Sequence, residues 1–129
     1  MTHLPFADEV FDKSSSVTAI EFIADAGRAV AELFRVTKRG GIVVVATLNS
    51  LSPWADRRLA DARHDRSSVF NRVFFRSPAE LLGLAPVAGV TQTAVHFGKD
   101  DPPAAWERIE REGRGSETGA FLAALWEKR

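Results

Sequence analysis

Three histidines, His3, His64 and His96, are the residues best suited to bind a metal or move a proton at neutral pH. They stand far apart, with no i, i+4 pair and no cysteine partner, so no metal site is expected. The serine run Ser14-Ser15-Ser16 lacks a histidine and an acid arranged around it, which argues against nucleophilic catalysis of the triad kind. With no cysteine at all, disulfides, thiolate ligands and catalytic thiols are excluded. Arg57, Arg58, Arg63 and Arg66 are interleaved with Asp56, Asp61 and Asp65, which reads as a solvated helix face. What remains for chemistry is a scattered set of an acid, an amide and aromatics. Glu21 and Phe22 follow the first candidate strand, Asn49 follows the second, and Trp54, Phe70, Phe74 and Phe75 lie beyond. Each has an ordinary structural reading too: a helix-start acid, a turn residue, and aromatic core.

These residues sit in a chain of 129, long enough for one domain over residues 1–129. Hydrophobic residues make up 45% and charged residues 26%, which is globular composition and not disorder. Seventeen Lys and Arg balance seventeen Asp and Glu, so no basic field recruits nucleic acid or an anionic membrane. The opening MTHLPFADEVFD has neither the charged start nor the apolar centre of a signal peptide. The longest apolar run, Ile42 to Ala46, is too short to cross a bilayer. A soluble, cytoplasmic protein is the expectation.

The elements that must position the candidate residues alternate between strand and helix, the pattern of a sheet with crossover helices. Thr2 to Asp12 reads as a loop and Phe11 to Ile20 as a strand, unusually polar at Lys13 to Ser16. From Ala24 to Lys38 the apolar residues Ala26, Ala29, Val30, Leu33 and Phe34 recur at helical spacing. Asp25 is placed to cap that helix, and Arg35, Lys38 and Arg39 suit its negative end. Gly40-Gly41 is expected to end it through the left-handed conformation glycine tolerates. Ile42 to Leu48, apolar on both sides, then predicts a central strand covered on both faces. Ser52 and Pro53 open a helix to about Arg63, with Trp54, Leu59 and Ala62 on one side. Asp65 to Arg76 is a connection. Ser77-Pro78-Ala79-Glu80 matches a capping box for a short helix ending near Gly83. Val87 to Phe97 reads as a strand, Pro102-Pro103 to Glu112 as a helix, and Ala120 to Glu127 as a last strand.

The order of several short motifs resembles a known family. Leu4-Pro5-Phe6, Phe11-Asp12, Glu21-Phe22, Arg35-Val36-Thr37-Lys38-Arg39-Gly40-Gly41 and Gly119-Ala120-Phe121-Leu122 look like class I S-adenosylmethionine-dependent methyltransferases of the small-molecule type. The resemblance covers nearly the whole chain and is strongest from Leu4 to Asn49. It implies an α/β fold: a partial Rossmann-like sheet of about four strands, corresponding to strands four to seven of seven, with flanking helices. Strand seven would lie antiparallel beside strand five, and strand four would be exposed where strand one otherwise pairs.

By the same resemblance the cofactor is S-adenosylmethionine, lying across the carboxyl ends of the strands. Leu4, Pro5 and Phe6 would flank its adenine, and Thr18 would lie on its side of the cleft. Glu21, Phe22, Asn49 and Trp54 would face the methyl acceptor. The family's glycine-rich turn, its ribose-binding acid and the Asp that meets adenine would lie upstream of Met1. No G-x-G-x-x-G or similar turn occurs in this chain. Methyl transfer to a small-molecule acceptor is therefore the expected function, incomplete in this chain by itself. A non-catalytic remnant acting as a dimerising or partner-binding module is the alternative. In either case the exposed strand near Ser14 to Ser16 is the expected surface for a second copy or a partner chain.

Overall fold

The computed structural model describes all of residues 1–129. Strands β1 (Phe11–Val17), β2 (Thr37–Leu48), β3 (Gly89–Ala94) and β4 (Phe121–Glu127) form one sheet in the order β1-β2-β4-β3. β1 and β2 are parallel, while β4 runs antiparallel to both β2 and β3. This is the four-strand mixed sheet expected, with the last strand beside β2 and β1 at an edge. Helices α1 (Ala26–Val36), α2 (Pro53–His64), α3 (Pro78–Leu82) and α4 (Pro103–Gly113) fill the connections. Short 3₁₀ turns occupy Ile20–Phe22 and Val69–Arg72. No helix is long and apolar enough to cross a membrane.

The β1-α1-β2 unit sets the architecture, because a parallel pair needs a crossover. The Asp25 carboxylate caps α1 by accepting the Arg28 N–H at 3.1 Å. Ala26, Ala29, Val30, Leu33, Phe34 and Val36 are buried, at the spacing the sequence shows. The end of α1 differs from expectation: it stops at Val36, before Gly40-Gly41. Thr37 is already extended, and its hydroxyl donates to the Leu33 carbonyl at 2.7 Å, satisfying an acceptor that a glycine cap would otherwise serve. The glycines instead form a bulge. Between the pairs Phe11–Thr37 and Lys13–Ile42, β1 advances two residues and β2 five. Gly40 takes φ 79, and Gly41 lies against the Asp12 carbonyl where a Cβ has no room.

One face of the sheet is covered. Ile20, Ala29, Val30, Leu33 and Phe34 pack with Val43, Val45, Leu81, Leu122, Ala124 and Trp126 into a single buried cluster. β1 meets this core through Ser14 and Ser16; the Ser14 hydroxyl donates to the Leu33 carbonyl at 3.2 Å and lies 2.7 Å from the Thr37 hydroxyl. Such local partners let a serine-rich strand sit against a helix without unpaired hydroxyls.

The opposite face is open, which corrects the expectation of a strand covered on both sides. Cross-strand register places Ser15, Val44, Leu125 and Val90 in one row, and Val17, Ala46, Ala123 and Gln92 in the next. Val17, Val90 and Leu125 are 58%, 65% and 41% exposed. β2 is apolar on this side as well, but no helix of the described chain lies over it as α1 does over Val43 and Val45. Three other elements shift, among them β3, which is confined to Gly89–Ala94 and not Val87 to Phe97 because Val95 turns to φ 65. β1 ends at Val17 and not Ile20, and α2 buries Ala55 and Ala62 while Leu59 stays 38% exposed.

Candidate functional site

β1, β2 and β3 all point the same way, since β4 is antiparallel to β2 and β3. Their carboxyl ends, Val17, Leu48 and Ala94, therefore share one rim of the sheet, where ligands bind in open α/β folds. Two of the three strands end in backbone that β-branched residues avoid. Thr18 takes φ 47 and Val95 takes φ 65. Such outliers cluster at functional rims, where surrounding contacts hold them in place.

After β1 the chain makes the 3₁₀ turn that carries Glu21 and Phe22. Glu21 is buried, and its carboxylate accepts the Thr47 hydroxyl from the end of β2 at 2.9 Å. Its carbonyl accepts the Phe74 N–H at 2.6 Å. Arg76 locks the same turn: its guanidinium, also buried, donates to the Ile20 and Ile23 carbonyls, both at 2.9 Å. Burial pushes the Arg76 guanidinium below its ordinary pKa, while the Glu80 and Glu21 carboxylates pull the other way. Phe22 and Phe74 are about half exposed, Phe74 with Arg76 5.7 Å from its ring. Glu21 and Phe22 thus lie at the rim, Glu21 holding β2 and Phe22 facing solvent. Nothing in the sequence around Arg76 singles it out, because its carbonyl partners lie over fifty residues away.

Asn49 is at the rim after β2, but its polar groups are committed. Its Nδ2 donates to the Glu117 and Gly119 carbonyls at 2.7 and 2.8 Å, and its Oδ1 accepts the Leu51 N–H at 3.1 Å. It ties the end of β2 to the loop before β4. Trp54 lines a cavity of about 250 Å³ with Arg57, Lys99, Asp100 and Asp101. Its indole N–H donates to the Phe97 carbonyl at 2.8 Å. Arg58, expected on a solvated face, is instead half-buried with its guanidinium 5.5 Å from the Trp54 ring and 5.2 Å from Phe70. Phe70 and Phe75 stack at 6.4 Å; the aromatic segment is a surface layer around α2 and not sheet core.

The structure does not bring Leu4, Pro5, Phe6 and Thr18 into one place. Residues 1–10 run back along β1. The Met1 sulfur lies 3.5 Å from the Ser16 hydroxyl near the carboxyl end, and Phe6 meets Phe11 edge-on at 5.1 Å at the amino end. Thr18 and Phe6 are thus separated by roughly the length of β1, about 20 Å at strand rise. The loop is anchored on α1. Leu4 donates its N–H to Glu32 at 2.9 Å, while Arg35 bonds Glu32, Asp8 and the Leu4 and Phe6 carbonyls. The Arg35 hydrogen bond, followed by the Leu4 N–H, holds the Glu32 carboxyl at about 2. Glu32 and then Asp8 raise the Arg35 guanidinium above its usual range.

Residues 1–45 match the family model described as a methyltransferase domain. The demethylmenaquinone methyltransferase of Thermobifida fusca is 35% identical over an alignment covering 46% of this chain and 32% of that protein. The fold matches an S-adenosylmethionine-dependent methyltransferase of Thermotoga maritima, a possible histamine N-methyltransferase, with a TM-score of 0.75 at 22% identity. That match covers 99% of this chain and 60% of the other. Residues 1–45 thus resemble a methyltransferase domain, and the whole chain shares the fold of S-adenosylmethionine-dependent methyltransferases. A Haloferax volcanii putative methyltransferase, solved with the Trm112 methyltransferase activator, shares the fold at TM-score 0.65 and 22% identity. It is covered over 59% of its length and this chain over 99%. The chain spans about a third of the sequence relative named above and about 60% of these solved neighbours.

The residues present fit S-adenosylmethionine only in part. The rim offers the exposed Thr18 hydroxyl, but the Thr18 N–H is spent on the Ala46 carbonyl at 2.9 Å. No glycine-rich turn occurs in this chain, so the amino-acid end of the cofactor finds no backbone cradle among these residues.

Proposed function

We propose that this chain is the acceptor-side part of an S-adenosylmethionine-dependent methyltransferase acting on a small molecule. On this reading the cofactor is gripped mainly by elements outside these 129 residues. The observation that carries it is the open sheet face beside the unpaired edge of β1, ending at the strained Thr18. A parallel pair is normally covered on both faces. Here the exposed apolar residues Val90, Leu125 and Val17 lie in the two rows that lead to the rim where a cofactor would lie. S-adenosylmethionine supplies a methyl group activated by a sulfonium, so positioning accounts for most of the rate enhancement. The chain's own contribution is then the acceptor wall. Arg76 and Glu21 fix the turn that presents Phe22, Asn49 fixes the loop after β2, and Trp54 faces the neighbouring cavity.

The test is calorimetric titration of S-adenosylmethionine and S-adenosylhomocysteine into the purified chain, with its oligomeric state recorded in the same buffer. The reading expects no heat from the folded chain alone and binding once the complementary elements are added. Micromolar binding by the lone monomer would overturn it, because the rim alone would then suffice.

A second reading, a partner-binding module that dimerises through β1, is favoured by the unpaired outer edge of that strand, where Ser15 and Lys13 are exposed. It expects a discrete dimer that Ser15→Pro weakens while circular dichroism still reports a folded chain. A monomer at every concentration tested counts against it.

A further inference from the structure

We propose that the cavity between α2 and the turn after β3 binds a small aromatic carboxylate. The wall of that cavity is built and held. Val95 sits at φ 65, and the Glu110 carboxylate of α4 collects the successive N–H groups of Val95 at 3.1 Å, His96, and Phe97 at 3.4 Å. The Phe97 carbonyl fixes the Trp54 indole at 2.8 Å, and the Phe97 ring stacks on Trp106 at 4.5 Å. Strained backbone held by this many contacts is how a rigid ligand wall is made. The product is a flat indole at the side of a cavity of about 250 Å³, room enough for a single-ring ligand.

The charges around it decide the sign of the ligand. The anionic Asp101 carboxylate is held toward the turn, its Oδ2 accepting the Gly98 N–H at 2.6 Å. Asp100 is 91% exposed and approaches Arg57 at only 3.6 Å, a contact an incoming anion can replace. Lys99 is exposed and makes no ion pair, and Arg58 places a further cation 5.5 Å from the indole ring. Three cations, Arg57, Arg58 and Lys99, thus stand against two acids, Asp100 and Asp101, around a stacking surface. A ring on Trp54 with its carboxylate between Arg57 and Lys99 uses both features. Naming this ligand the methyl acceptor rests on the function proposed above; the binding does not, and it needs no cofactor.

The experiment is an NMR titration of the full chain with benzoate, following the indole N–H of Trp54 against those of Trp106 and Trp126. Benzyl alcohol and benzylamine serve as uncharged and cationic controls. A saturable shift at Trp54, in the range of about 1–10 mM, is expected for a ligand this small. Lys99→Gln and Arg57→Gln should each weaken binding about threefold, and Asp100→Asn should tighten it by about twofold. An unmoved Trp126 signal verifies that these surface variants keep the fold. No Trp54 shift with benzoate, an equal response to benzyl alcohol or benzylamine, or unchanged affinity in both Lys99→Gln and Arg57→Gln would overturn the proposal. Because no S-adenosylmethionine is present, such a failure leaves the methyltransferase reading standing.

Discussion

Leu122 and Leu125 lie three residues apart on β4 and face opposite sides of the sheet, which makes them a direct test of the open face. Leu122 is fully buried against α1 and α3, whereas Leu125 is 41% exposed beside Val44 and Val90. Truncating Leu122 to alanine removes buried methyl groups and leaves a cavity in a cluster that cannot close over it. The expected loss is about 3 kcal/mol, in the lower part of the range for buried leucines. Leu125→Ala forfeits only the covered share of a transfer free energy of about 1.5–3 kcal/mol and opens no cavity, so about 1 kcal/mol is expected. Leu125→Lys should cost about as little, because the aliphatic stem can lie along the sheet with its ammonium in water. Urea unfolding followed by tryptophan fluorescence, at two protein concentrations, measures all three. If Leu125→Ala costs as much as Leu122→Ala, or if stability rises with protein concentration, the face is covered in solution and the reasoning fails.

Three further outcomes follow from individual contacts. Glu32 titrates at about 2 in the folded chain against 4.5 for an ordinary glutamate. A lowered folded value means its stabilisation is complete above 4.5 and disappears as pH falls toward 2, so the acid side of the urea-midpoint profile should flatten in Glu32→Gln. Thr18→Gly should raise stability by about 0.5–1 kcal/mol, since relief of the left-handed strain exceeds the entropy glycine adds to the unfolded chain; a lower urea midpoint would count against real strain there. Arg76→Met strands the Ile20 and Ile23 carbonyls and should cost about 2–4 kcal/mol, with Arg76→Lys recovering part of it; a neutral methionine variant would show that the turn holds without the guanidinium.

Much of the fold was legible because it is written in local periodicity. The face of α1, the Asp25 cap, the Ser77–Glu80 capping box and the β-branched run of β2 are each decided within a few residues. The strand order followed from the resemblance, and the edge position of β1 matched its polar serines. Where the reading went astray, a distant partner intervened. The Thr37 hydroxyl reaches Leu33 and ends α1 before the glycines, and Gly40-Gly41 becomes a bulge because β1 must pair past it. The candidate site was legible in parts. Glu21, Asn49 and Trp54 do sit at one rim, but the sequence does not tell that Asn49 is committed to the loop before β4, or that Phe6 lies at the far end of β1. Arg76, Lys99 and Glu110 carried no signal, since each matters only through backbone groups or a cavity brought near by the sheet.

The two-sided apolar pattern of β2 remains physically meaningful although only one side is covered here. Ile42, Val44, Ala46 and Leu48 are no more polar than Val43 and Val45, so the strand is composed for burial on both faces. The size of the open face limits what can complete it. Four strands at about 4.8 Å spacing and about 20 Å of strand length give an area of about 400 Å². A stable, specific interface buries about 800 Å² per partner. A second copy stacked on this face alone falls short. A partner that lays an apolar layer over the face and also adds a strand along β1 engages both surfaces at once. On the function proposed above, such a partner would also reach the rim at Thr18, and completing the core and completing the cofactor site would be one event.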